Sequence, residues 1–531
     1  MTHPDPDVRE RRRNRRGQRS PLSPARPLHL VPFVLAATSA TAPIHAQTID
    51  TLALRAHTFF LSSDLLGGRD TGSPGEHIAA AYIEAKLRLL GLRGLMGGGT
   101  FRQSVPLRSF HVDPATRLTL AGSEGTRHFA SGESFVLGTG GPAAFRDFEG
   151  PAVFVGDAAL APAGGPDLAG QVIVVGGTLG AEAAALLPAW KLAGVAGVLQ
   201  LVPDTARFAL LAASRGAERL FVDAAVDDPI WQPSMPTVVA GPDLAVALLA
   251  GVSLPPAALR GEPFDPVPLG RRVTVSLRGS VRAVQAANVG AVLPGSDPAL
   301  RDEYVLYTAH YDHLGSVPAA DGGDSIYNGF SDNAAGVAML LAIARALSAD
   351  PPARSVAFLF LTGEERGLLG SSFFAASPPL PLGHISALVN LDAGAPPVPP
   401  VSWRVAGGSD SPLGVLAAGV AARRGWTAQL SPASPNSDYW PFLRRGVPAI
   451  FLIPGTEWEA TTPQQRDALR LRWDRYHHPD DEWAPDFPFA GLRRYATFAL
   501  LVGRAVADAP RRPSSRPIHQ PFTPARMRPW P

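Results

Sequence analysis

Five short segments in the second half of the chain carry side chains able to do chemistry together. They are Ala309-His310-Tyr311-Asp312-His313, Ser331-Asp332-Asn333, Gly363-Glu364-Glu365-Arg366-Gly367, Asn390-Leu391-Asp392 and Tyr476-His477-His478. Among them are two imidazoles and three carboxylates able to hold two borderline metal ions through neutral nitrogen and anionic oxygen. A further carboxylate, Glu364, sits beside the acid Glu365. Two ions ~3.5–4 Å apart can position both an attacking water and a substrate oxygen, and a spare carboxylate can move the proton.

Each segment alone has a plainer reading. His-x-Asp is common as a surface pair, and an acid before a long helix is commonly an N-cap. Residues i and i+2 of a strand share a face, so Asp312 is placed to accept the second ring proton of His310 and fix its tautomer. Glu364 and Glu365 follow the most apolar run, Ser355–Leu361, where adjacent carboxylates are costly without compensating charge. Asp392 ends Ala387-Leu388-Val389-Asn390-Leu391, and His310 ends Tyr304-Val305-Leu306-Tyr307-Thr308-Ala309. Three strands thus deliver an acid or a histidine to one edge, where open α/β sheets form their sites. The last ligand is His477 or His478; His313 fits a supporting role.

The elements required to position these residues are legible in outline. Thr51 to Leu95 has helical periodicity with Gly91 as a stop, interrupted by the loop Gly67–Ser73. From about Phe110 to Leu277, short β-branched runs alternate with Gly and Pro turns, reading as a compact β-rich unit, with prolines from Pro255 to Pro268 as its exit linker. From Ala283 onward strands and helices alternate, the pattern of a layered α/β domain. A chain of 531 residues suggests two folded units.

Composition excludes several classes. There is no cysteine, so disulfides, thiolate metal sites and a Cys nucleophile are ruled out. No run of ~18 apolar residues suggests an integral membrane span. Residues 1–46 carry eight Arg and three acids, followed within that stretch by an apolar run and small residues, which reads as an export signal ending near Ala46. Without it the formal charge of +2 becomes −3, so nothing argues for a nucleic-acid partner. The expectation is a protein exported to the periplasm or the extracellular space.

The set of motifs resembles peptidase family M28, the co-catalytic zinc peptidases. His310-Tyr311-Asp312-His313-Leu314-Gly315, Asp332-Asn333-Ala334-Ala335-Gly336, Gly363-Glu364-Glu365-Arg366-Gly367-Leu368-Leu369-Gly370-Ser371, Ser437-Asp438-Tyr439 and Tyr476-His477 carry the resemblance, over roughly residues 50–505. The resemblance implies two Zn2+ ions, one held by His310, Asp392 and Asp332, the other by His477, Glu365 and the same bridging Asp332. It implies Glu364 as general base and acid, Asp312 as the partner of His310, Tyr476 as an oxyanion stabiliser, and a cis peptide after Asp332. Phe330, Ser331 and His478 depart from the family's common residues without removing a ligand.

The fold implied is a mixed-sheet, three-layer α/β zinc-peptidase domain with an inserted β-rich unit resembling a protease-associated (PA) domain. The boundaries are a signal over 1–46, the first part of the peptidase domain over 47–109, the insert over 110–277, the catalytic domain over 278–507 and a disordered Pro/Arg-rich tail over 508–531. The implied activity is hydrolysis of peptide substrates, as an aminopeptidase on family frequency. A carboxypeptidase, needing cations such as Arg366, Arg444 or Arg445 for a terminal carboxylate, is one alternative. A single-zinc glutaminyl cyclase-like acyltransferase is another.

Overall fold

The computed structural model describes residues 48–157, 168–176, 186–215, 218–226, 235–260, 262, 264–317, 322–409 and 411–513. The stretch read as an export signal and the tail beyond residue 513 lie outside them. The described residues belong to one compact unit, Gln47–Pro531.

A ten-stranded mixed sheet organises the unit. Its order is Thr427–Ser431, Ser402–Ala406, Ala449–Pro454, Ile385–Asn390, Tyr304–His310, Ser355–Leu361, Gly279–Leu293, Arg102–Val112 and Glu218–Val222, with Arg93–Gly94 beside Gly279–Leu293. Tyr304–His310 lies parallel to both Ser355–Leu361 and Ile385–Asn390. Gly279–Leu293 runs antiparallel to Ser355–Leu361. The central strands are buried on both faces, which is why they read as unbroken apolar runs.

Strand periodicity then builds three layers. Val305, Tyr307 and Ala309 face a core shared with helices Thr51–Leu61, Ala335–Ser348 and Ala490–Ala507. Leu306, Leu359 and Leu388 face the opposite core, with Phe374 and Phe442 of helices Leu369–Ala376 and Tyr439–Leu443. The fold is a mixed α/β architecture. Helix Ala335–Ser348, with the turn before it, is long and apolar enough to cross a bilayer, but 83% of it is buried inside the molecule. It is the core helix; truncating Leu341 there would cost about 2–5 kcal/mol.

A second, eight-stranded sheet contains Arg117–Gly122, Gly125–Ala130, Phe135–Leu137, Phe148–Asp157, Val172–Gly176, Gly197–Leu201, Thr237–Ala240 and Val267–Ser276. One strand of this stretch leaves it: Glu218–Val222 pairs with Arg102–Val112 at the edge of the large sheet. The proline-rich exit also differs from a plain linker. It contains a short helix, Pro256–Arg260, and Pro268 sits in a strand. The register there shifts between Pro268 and Arg272, and such an irregularity accommodates a residue with no amide to donate.

Candidate metal centre

Register aligns the chemistry. His310 pairs with Leu361, three residues before Glu364, and Thr308 pairs with Asn390, two residues before Asp392. The carboxyl ends of three parallel strands therefore stand level. Asp332 enters from the turn preceding helix Ala335–Ser348, and His477 from the loop before helix Ala490–Ala507.

The side chains form two linked groups. His310 Nε2 lies 2.9 Å from Asp392 Oδ1 and 3.1 Å from Asp332 Oδ1. His477 Nε2 lies 3.1 Å from Asp332 Oδ2 and 3.2 Å from Glu365 Oε2. Asp332 thus gives one oxygen to each group, the disposition required of a bridging carboxylate. Glu364 joins His310 and Glu365 in a third set of donor atoms lying within 4.8 Å of one another.

The electrostatics describe carboxylates crowded out of water. Burial pushes Glu364 well above the usual carboxylate range; the nearby His310 pulls it down, but Asp392, Glu365 and Asp438 reinforce the rise. Burial also lifts Asp438, to about 7. Asp332 moves the other way: burial would raise it, but the imidazoles of His310 and His477 beside it hold it well below. Burial would lower His477, yet Asp332 and Glu365 raise it to about 10. The two imidazoles are the charge that the carboxylates have to hand, and they are also the metal donors.

These residues fit a metal pair. The donor set is two imidazole nitrogens and carboxylate oxygens, the chemistry preferred by Zn2+. The Nε2 atom of His477 is buried, aimed at two carboxylates and without a hydrogen-bond partner. No thiolate competes, since the chain lacks cysteine.

Around the donors, the support differs from the sequence reading in instructive ways. His310 Nδ1 is 3.2 Å from the main-chain oxygen of Asp312 but 3.7 Å from its carboxylate Oδ1. The second separation is too long for a hydrogen bond, so the carbonyl takes the ring proton and leaves Nε2 to face Asp332 and Asp392. The Asp312 carboxylate has other work: it accepts from Thr71 Oγ1 at 2.9 Å and from the Glu364 amide at 3.2 Å. Asp332 does not cap the core helix; that oxygen comes from Asn333, which accepts from the Gly336 amide at 2.8 Å. The Asp332–Asn333 peptide is cis.

His313 Nδ1 lies 2.7 Å from Glu365 Oε1 and so orients that carboxylate while the other oxygen faces His477. Tyr476 is 68% exposed and stacks on the His477 ring with centroids 3.8 Å apart. Arg366 is engaged by Asp70, and Arg445 donates to the Pro441 carbonyl at 3.3 Å. His478 stands outside, 3.5 Å from Asp480.

Several supporting residues were given no individual role by the sequence reading. Ser437 donates to Asp392 and accepts from Asn390 at 2.7 Å, extending a chain back to Thr308. Asp481 receives the amides of Ser331 and Asp332 at 3.0–3.2 Å; the sequence presents it only as part of a turn. Arg69, Thr71 and Glu76 come from some 240 to 290 residues away and look like ordinary loop and helix residues.

Fold and donor set together define a candidate metal centre at the carboxyl edge of a mixed α/β sheet. Residues 288–499 match the model of "Peptidase family M28". A "Probable zinc metalloprotease" of Pyrenophora teres f. teres is 36% identical over 109 residues, 20% of this chain and 23% of that protein. A protein of the same description from Pyricularia oryzae is 33% identical over 115 residues, 20% of this chain and 22% of its own length. The chain's match thus spans about a quarter of the length of these curated relatives. Among solved structures, the aminopeptidase from Aneurinibacillus sp. strain AM-1 superposes with a TM-score of 0.53 at 20% identity. The superposition covers 90% of this chain and 97% of that one, a likeness of fold.

Proposed function

We propose that this protein is a di-zinc exopeptidase, an aminopeptidase, acting on peptide substrates outside the cytoplasm. The observation that carries the reading is Asp332, with one oxygen in a His310–Asp392 group and the other in a His477–Glu365 group. A bound metal pair would supply Lewis acidity toward water and the scissile carbonyl.

The chain's own residues do the rest. Asp392, Asp332 and Glu365, with His310 and His477, would hold the metal pair. Glu364, whose carboxyl burial pushes well above the usual carboxylate range, would in its ionised form take the proton of the attacking water and, once protonated, return it to the leaving amine. The Glu364 amide is tied to Asp312, so its carboxyl stays aimed while its charge changes. Tyr476, beside His477, is placed to meet the substrate at the open side of the centre.

The acid-rich surroundings suit a substrate's free amine, and the pairing of Arg366 with Asp70 leaves it poorly disposed to hold a carboxylate. Both features favour an aminopeptidase over a carboxypeptidase. The test is hydrolysis of aminoacyl-p-nitroanilides set against carboxyl-terminal release from N-blocked dipeptides. Release only from the blocked dipeptides would reverse the assignment.

A further inference from the structure

The donors just described lie between residues 310 and 477, within the segment that matches the M28 model. The parts that hold them in place do not all lie there. The loop running from Arg69 to Glu76 sends successive polar side chains to different pieces of the centre. It sits at the start of helix Pro74–Leu89, which Ser73 caps through the Glu76 amide.

Arg69 is 1% exposed. Its guanidinium donates to the Tyr311 carbonyl at 2.9 Å, to the Asn328 carbonyl at 2.7 Å and to the Gly329 carbonyl at 3.1 Å, and also to the Leu61 carbonyl. Tyr311 follows His310, and Asn328-Gly329 leads into Asp332. One planar cation therefore ties the two segments whose side chains meet at the His310–Asp332 contact. The Arg69 carbonyl also accepts the His313 amide at 3.0 Å. Its charge is set among Asp312, Asp332, Asp481 and Glu365. Thr71 then bonds Asp312, which receives the Glu364 amide. Glu76, fully buried, accepts from the Gly72 amide at 2.6 Å and from the Thr362 hydroxyl, two residues before Glu364.

A loop with only a packing task would bury apolar side chains. Here the buried side chains are Arg, Thr and Glu, and all three reach ligand-bearing or base-bearing segments: Arg69 and Thr71 the His310 segment, Arg69 also the stretch leading into Asp332, and Glu76 the strand end before Glu364. A fork of several N–H donors can serve several carbonyls at once, where an ammonium on a flexible stem cannot hold them in one plane. We infer that Arg69 and Thr71 are positioning residues of the metal centre: Arg69 fixes the His310 segment against the Asp332 segment, and Thr71 fixes, through Asp312, the segment carrying Glu364. The inference rests on the metal-centre part of the functional reading and needs no assumption about substrate.

The test uses the full chain and Arg69→Lys, Arg69→Met and Thr71→Val. Zinc affinity is measured by competition with a chromophoric chelator, and Co2+-loaded protein is examined by visible absorption. Near-ultraviolet circular dichroism reports whether each variant is folded. Outer partners of metal ligands typically contribute about 10–100-fold to affinity or activity. The expectation is a loss of that size in zinc affinity for both Arg69 variants, with an altered Co2+ spectrum, and Arg69→Lys recovering only part of what Arg69→Met loses. Thr71→Val, close to isosteric, should keep zinc affinity within a few-fold and lower kcat by about tenfold with KM little changed.

Folded Arg69 variants with wild-type zinc affinity and Co2+ spectrum would overturn the role of Arg69. Wild-type kcat in Thr71→Val would overturn the role of Thr71, and that variant decides if the Arg69 variants do not fold. If no peptide is hydrolysed even by wild type while the Arg69 variants lose zinc, the positioning role stands and the peptidase reading fails.

Discussion

Glu364 and Glu365 are neighbours in sequence with opposite surroundings, and that difference separates their tasks. Burial would raise both, but Glu365 is drawn down by His313 and His477 while Glu364 is left among Asp392, Glu365 and Asp438. A carboxyl that stays charged suits metal binding, and one that gains and loses a proton suits acid–base work. Glu364→Gln is therefore expected to lower kcat by about 10²–10⁴-fold while metal content stays at the wild-type level. A variant with wild-type kcat would remove Glu364 from the mechanism. His477→Ala should lose the metal served by Glu365 before that served by Asp392, read as metal bound per chain on titration with a chelator.

The acids and histidines at strand ends were legible because an apolar run that stops at an acid is conspicuous. The partner of His310 Nδ1 was not, since sequence spacing cannot distinguish the Asp312 carboxylate from its carbonyl.

Elements bring these residues together through close backbone approach. Gly68 has φ +70 and its missing Cβ would lie 2.2 Å from the Gly315 oxygen. Gly329 has φ +55, with its missing Cβ 2.2 Å from the Asp332 oxygen and 2.6 Å from the His313 ring. Gly68→Ala should destabilise by about 2 kcal/mol or more, from left-handed backbone strain and overpacking together. Thermal unfolding checks this, and an unchanged Tm would mean the two loops are not held in contact.

Glu76 gives a pH dependence. Burial raises its folded-state pKa to about 8, above that of an unfolded glutamic acid. The folded state then holds a proton that the unfolded chain releases, so its contribution to stability declines as pH rises from about 4.3 and levels off above about 8, with a slope approaching about 1.4 kcal/mol per pH unit between. Glu76→Gln should remove that dependence: its unfolding free energy relative to wild type should rise between pH 5 and pH 8.5. A constant difference would contradict the assignment. Core strands and long helices were readable from periodicity. Glu76 was not, because one acid in the first turn of an amphipathic helix has the same pattern whether it faces water or the core.

At the scale of the whole molecule, the centre is assembled from segments far apart in the chain. The M28-like segment supplies the donors, and the residues before it supply Arg69, Thr71 and Glu76. Sequence composition marked 110–277 as β-rich. It could not reveal that Glu218–Val222 crosses to the large sheet, because strand pairing over such distances leaves no local signature. That strand packs beside the helix that follows the Glu364–Glu365 turn, through Val222, Leu220, Leu369 and Phe373, so the β-rich stretch touches the element behind the base.

A centre with this many buried acids should depend on its cations for rigidity. Adding chelator is expected to lower Tm, with zinc restoring it, since a ligand that binds only the folded state stabilises it by mass action. The same Tm with and without chelator would argue against a structural contribution of metal.

The central claim is that Asp332 bridges two metal sites and that Glu364 acts between them. The most direct measurement is metal per chain in the purified protein, taken together with aminoacyl-p-nitroanilide hydrolysis before and after chelation. The account predicts about two zinc per chain, with hydrolysis lost on removal and regained on re-addition. Full hydrolysis by metal-free protein, or saturation at about one zinc with no hydrolysis, would contradict it.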